Sequence, residues 1–210
     1  MTSNQKPQGR RRSVTTRERI LEAAVAAFVA EGYNGASMDD LARSANVAKP
    51  TLYAHFDDKA ALYGASIEHH LARKREQLAS RDFARLSAEK GLKRVARALA
   101  DMFGRDDDML GLCKMSIAGT KMLPSATEAF LRAGPWRGTD DIAYLLRVWT
   151  ERGELAVEDP GFAARQLAEL CKTGIFDHRL FGRGSVATEA ECERAASQAV
   201  IMFLARYGSG

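Results

Sequence analysis

The sequence predicts an all-α protein, on three observations. Apolar residues recur at spacings of three and four almost everywhere, no segment shows the period of two that a strand needs, and prolines fall where helices would begin. A proline tolerates the first turn because its missing N–H has no partner there in any case. Pro50, Pro124, Pro135 and Pro160 all read this way.

Taken in order, the elements begin after a basic arm. "KPQGRRRSVTTRER" places six basic residues and one acid within the first nineteen positions. Arg10, Arg11 and Arg12 read as a solubilising tail or as an arm reaching the minor groove or flanking phosphates. Ile20, Ala23, Ala24, Ala27 and Phe28 form the first apolar stripe, with Thr16 as candidate cap and "EGYNG" as stop. Ser37-Met38-Asp39-Asp40 reads as a partial capping box, since Asp40 stands where Glu or Gln is preferred. The short helix that follows turns Leu41, Ala42 and Ala45 inward and ends at Asn46, a residue that tolerates left-handed backbone.

A second short helix then starts near Lys49. Two short helices joined by a tight turn, after a longer supporting helix, make a helix-turn-helix, whose second helix presents its N-terminal residues to base edges. Pro50 fixes the first turn, Lys49 and Thr51 are exposed donors, and Leu52 and Phe56 anchor the helix. Tyr53 carries a polar tip, while His55 and Lys59 sit where they would grip the backbone.

Longer stripes follow. Leu62, Tyr63, Ile67, Leu71 and Leu78 mark a helix over 59–79 that leaves the recognition helix directly. Leu92, Val95, Ala96, Leu99, Met102 and Phe103 mark the next, then Met109, Leu112, Cys113, Ser116 and Ile117, then Ile142, Leu145, Leu146 and Trp149. Two closing amphipathic segments, 160–182 and 188–207, carry small residues on their apolar faces, and Thr188-Glu189-Ala190-Glu191 opens the second with a capping box. Leu167, Leu170, Cys171, Ile175, Ala196, Ala199, Val200 and Phe203 are either core of one chain or half of a four-helix interface in a two-fold dimer.

Charge and cysteine usage bound the class. The formal net charge of +4 permits nucleic-acid binding without requiring it, and the 210 residues suffice for a small module plus a larger one. Cys113, Cys171 and Cys192 are odd in number and widely spaced, which excludes a disulfide framework and a CxxC metal knuckle. With no long apolar run and no signal-type N-terminus, the cytoplasm is the expected compartment. His69-His70 lacks metal-ligand spacing with other His or Cys and reads as surface; neither a metal nor a cofactor is expected.

Residues 16–63, "TRERILEAAVAAFVAEGYNGASMDDLARSANVAKPTLYAHFDDKAALY", resemble the DNA-binding region of the TetR family of transcriptional regulators. The resemblance rests on "RIL-AA---F", "GY-G-SMDDLA" and "V-KPTLY-HF--K-AL". It implies about nine or ten helices, a homodimer on a palindromic operator, and repression relieved by a small ligand. It also implies that Thr16, Arg17 and Ser37 touch phosphates, that Lys49, Pro50 and Thr51 face base edges, and that Tyr53, His55 and Lys59 hold the backbone or groove edge. Two positions depart from the family: Asn46 replaces the usual Gly, and Ala48 replaces Ser or Thr, losing a side-chain cap. Residues 124–183 are similar to regulators with an AefR-like C-terminal domain. The division expected is a flexible arm over 1–14, a helix-turn-helix domain over 15–63, and a ligand-binding and dimerisation domain over 64–210.

Thioethers and rings cluster between 102 and 149, and such adaptable side chains suit a pocket for a small apolar or aromatic ligand. Met102, Phe103, Met109, Cys113, Met122, Phe130, Trp136, Tyr144 and Trp149 are its candidates. Cys113 reads as a buried, unreactive thiol. Two other functions stay open: a constitutive DNA-binding regulator without ligand, and a helical carrier or enzyme with an interaction module. The last has no HExxH, P-loop or GxSxG motif behind it.

Overall fold

The computed structural model describes residues 14–78, 81–119 and 137–209. Ten α-helices occur among them. They are α1 (Thr16–Gly35), α2 (Met38–Ser44), α3 (Lys49–His55), α4 (Lys59–Leu78), α5 (Ala88–Arg105), α6 (Asp107–Gly119), α7 (Arg137–Glu151), α8 (Pro160–Leu170), α9 (Asp177–Leu180) and α10 (Glu189–Tyr207), with a 3₁₀ turn over Arg81–Arg85. A single antiparallel bridge, Leu155 to Gly208, is the one β-type pairing among the described residues.

Thr15, one residue before the expected Thr16, caps α1. Its hydroxyl accepts from the Glu18 N–H while the Glu18 carboxylate accepts from the Thr15 N–H at 2.8 Å, a complete capping box. Regular helix breaks at Gly32, whose φ of +72° carries a high cost for any residue with a Cβ. At the other end of the chain Thr188 and Glu191 form the expected second box.

Two apolar cores result. Ile20, Leu21, Ala24, Phe28, Leu41, Leu52, Phe56, Leu62 and Ile67 build the first from α1–α4, and Met109 and Leu112 of α6 complete it. Helix α6 reaches α1 because Gly111 is small: a Cβ there would lie 2.5 Å from Val29 Cγ1. The second core joins α5, α7, α8 and α10 through Leu92, Leu99, Leu146, Trp149, Leu167 and Phe203. Gly91 of α5 leaves room for the Trp149 indole, whose N–H donates to the Leu86 carbonyl at 3.1 Å. Met102 and Cys113 touch both cores.

The segment expected to be one amphipathic helix over 160–182 is interrupted. Helix α8 stops at Leu170, a run of turns follows, and Gly174 adopts φ +76° before the single turn of α9. Pro50 and Pro160 open α3 and α8 as expected. Pro124 and Pro135 lie outside the described residues, as do Arg10, Arg11 and Arg12.

Candidate nucleic-acid interface and effector cleft

The turn between α2 and α3 is built by backbone hydrogen bonds. The Val47 N–H donates to Ala42 O at 3.0 Å and the Asn46 N–H to Arg43 O at 3.1 Å, the paired bonds of a Schellman motif. Asn46 supplies the left-handed residue with φ +53°. Val47 packs on the first core, which sets the angle at which α3 departs.

Helix α3 has seven residues and no side-chain cap at Ala48. Leu52 and the following Phe56 are buried and hold it down. Lys49, Pro50, Ala54 and His55 are exposed, Tyr53 is 44% exposed and Thr51 half-buried. The two rings three residues apart thus divide, Phe56 inward and Tyr53 outward. The outer face combines an ammonium, a hydroxyl, a phenol and an imidazole, the donors that suit phosphates and base edges.

Lys49 does not point freely into solvent. Its Nζ pairs with Asp39 Oδ1 of α2 at 2.7 Å, and that hydrogen bond holds the ammonium pKa above its ordinary value. Asp39 is a positioning residue that the sequence reading missed; only its place in the first turn of α2 hinted at it. Arg17 is exposed and its guanidinium lies 5.2 Å from the Phe56 ring centroid, tying the start of α1 to the end of α3. Thr16 is half-buried in the first turn of α1. Ser37 caps α2, accepting from the Asp40 N–H at 3.1 Å while its hydroxyl donates to the Asp40 carboxylate.

Lys59, expected to grip the DNA backbone, is engaged within the chain. Its Nζ donates to Tyr33 O at 2.8 Å and Ala36 O at 3.0 Å and lies 4.4 Å from the Tyr33 ring centroid. Two of its three N–H groups therefore satisfy carbonyls beyond the Gly32 break, and the side chain bolts α4 to α1.

The expected ligand pocket does not assemble as drawn. Met122, Phe130 and Trp136 lie outside the described residues. Phe103 is buried in the second core in an edge contact with Phe176, Met109 is buried in the first core, and Trp149 is fully buried between α5 and α7. Tyr144 faces solvent. Rings at helical spacing filled cores, as apolar stripes ordinarily do. Cys113 is half-buried, and burial pushes its thiol up to about 11, which keeps it protonated and unreactive. A cleft of about 560 Å³ does open beside α4 and the α5–α6 corner, lined by Ala98 and Met102 and by the charged side chains of Lys74, Asp101, Arg105, Asp106, Asp107 and Asp108. Of the expected pocket residues among those described, Met102 alone lines it.

The residues expected at a dimer face turn inward. Leu167, Cys171, Ile175, Ala196, Ala199, Val200 and Phe203 are buried in the second core, and Leu170 is half-buried against it. Their small and apolar side chains let α8 and α10 nest within the chain. The opposite faces carry the exposed apolar groups: Phe162 on α8 at 51%, and Ile201 and Met202 on α10 at 59% and 56%. Nor are the paired histidines simply surface, since both are half-buried with Nε2 atoms shielded from solvent.

Comparison with known proteins agrees with this geometry. Residues 20–65 match the model of bacterial regulatory proteins of the TetR family, and residues 90–209 match that of the AefR-like transcriptional repressor C-terminal domain. A TetR-family transcriptional regulator from Mesorhizobium loti MAFF303099 superposes with a TM-score of 0.85 at 30% identity, covering 95% of this chain and 100% of that one. Another from Pseudomonas syringae pv. tomato gives 0.71 at 27% identity, over 92% and 97% of the two chains. The biofilm operon icaADBC HTH-type negative transcriptional regulator IcaR of Staphylococcus aureus is 38% identical over 52 residues, 25% of this chain. The chain spans only 28% of the length of that relative. Among the described residues no helix is long and apolar enough to cross a membrane. The chain belongs to the TetR family of bacterial transcriptional regulators, with an AefR-like C-terminal domain.

Proposed function

We propose that the chain is a homodimeric repressor that binds a palindromic operator through α3 and releases it when a small ligand occupies its C-terminal domain. The observation that carries the reading is the outer face of α3. Lys49, Pro50, Thr51, Tyr53 and His55 project from a helix held by Leu52 and Phe56 at a Schellman turn. A major groove admits such a helix, and its first residues would read base edges. Arg17 and Ser37 flank it as phosphate contacts.

Repression is supported by the IcaR likeness, whose printed role is negative regulation, although that likeness covers only 52 residues. The dimer is assigned to the outward faces of α8 and α10, where Phe162, Ile201 and Met202 leave apolar surface uncovered. Residues 15–63 act as the reading head and 64–210 as the effector and dimer domain, with residues 1–14 as a basic arm. The ligand enters the cleft beside Met102. An apolar or aromatic body would rest on Met102, and the charged wall calls for a polar group as well.

The test is binding of purified protein to duplexes selected from a randomised library at a stated salt concentration. Two protomers per duplex on a palindrome support the reading. Weak binding without sequence preference, abolished by moderate salt, would contradict it.

A further inference from the structure

We infer that His70, Asp106 and Asp108 form a divalent transition-metal site that clasps α4 to the α5–α6 corner. Three ligand atoms, one from each side chain, lie within 4.8 Å of one another. That limit is narrow enough for small side-chain rotations to close the three donors around one ion, with donor–metal distances of about 2.0–2.2 Å.

Each donor is presented in a form that suits a cation. His70 Nε2 is shielded from solvent and has no hydrogen-bond partner among the described residues. Asp106 is largely buried, and its Oδ1 accepts from the Met109 N–H at 2.9 Å, which fixes the carboxylate and leaves Oδ2 turned to its neighbours. Asp108, in the first turn of α6, is exposed and borders the cleft, so the third ligand comes from the open side. Lys74, one turn after His70 on α4, now pairs with Asp106 Oδ2. Its ammonium is the stand-in cation, and a metal ion would displace it.

One imidazole with two carboxylates favours Zn2+ or Mn2+ over Mg2+, which prefers an all-oxygen shell. Three protein ligands leave positions open toward the cleft for water or for a ligand group. The placement gives the ion leverage. Helix α4 follows the recognition helix and shares the first core through Ile67 and Leu71, whereas α5 belongs to the second. Occupancy would fix the head against the effector domain. The site stands apart from the DNA-binding reading and is tested without DNA.

Zn2+ is titrated into the full chain against a chromophoric chelator, with thermal unfolding followed in parallel. The expected result is one Zn2+ per chain and a raised Tm. His70→Gln and Asp108→Asn are each expected to weaken binding by about tenfold or more while the folded circular-dichroism spectrum persists. Lys74→Met is expected to tighten it, because the competing ammonium is gone. Asp108 is exposed, so its variant remains informative if the His70 change perturbs folding. No stoichiometric Zn2+ binding by the unaltered chain would overturn the proposal. Binding indifferent to both Asp108→Asn and Lys74→Met would overturn it too, by placing the ion elsewhere, for instance on cysteine thiols.

Discussion

Among single residues, Lys59 and Lys49 show how similar cations take different roles. Lys59 serves the protein's interior, so Lys59→Met leaves the Tyr33 and Ala36 carbonyls without their donor. The expected cost is about 1–3 kcal/mol in chemical denaturation, whether or not DNA is present. Lys49 is tethered at the surface by Asp39. Asp39→Asn should release it, raising affinity for unrelated duplexes more than for the selected site and so narrowing the ratio between them. Salt-dependent anisotropy on both duplexes measures this; an unchanged ratio would mean that Asp39 does not restrain Lys49. The layout of α3 was legible in sequence, because a Lys-Pro pair, an outward Tyr and an inward Phe fit one short helix. The partners of Lys49 and Lys59 were not, since Asp39 and Tyr33 meet them only through tertiary packing.

Helix boundaries followed from local chemistry, with Ser37, Asn46, Pro50 and Thr188 each found in its expected capping, turn or helix-start role. Two substitutions exploit that. Ala48→Ser restores the missing cap of α3 and should stabilise the chain by about 1 kcal/mol. Asn46→Ala should destabilise it by about 1 kcal/mol, because alanine resists a φ of +53°. Thermal unfolding of both variants checks the pair, and equal shifts of the same sign would count against the turn as described. Segment 160–182 was misread because its apolar spacing continues past Leu170, and nothing in that spacing announces the left-handed Gly174. The rings of α5–α7 were misassigned for a related reason. A core stripe and a pocket wall have the same periodicity, and only tertiary structure separates Trp149 in the core from Met102 at the cleft.

For the whole molecule, two cores share helices, so α1–α4 and the helices after them are joined by packing and not by a loose tether. Gly111 is a close contact in that joint, and Gly111→Leu should force α6 away from α1 at a cost of about 1–3 kcal/mol. The assembly has its own test in the two faces of α8 and α10. Phe162→Glu with Ile201→Glu should give a folded monomer by sedimentation, whereas Ala199→Glu should unfold the chain by burying a charge. A stable dimer in the double variant would place the interface elsewhere. Fold class and reading head were legible because local sequence patterns determine them. The residues expected at a dimer face turned inward because the most apolar stripe of each helix served the chain's own core.

The most direct measurement of base reading by α3 is a parallel selection of duplexes from a randomised library, with the unaltered chain and with Thr51→Ala. The expected result is a palindrome from both proteins, with half-sites whose centres lie about one helical turn or a multiple apart, differing in base preference at one position of each half-site. Identical preferences from the two proteins, or no enrichment from either, would contradict the account.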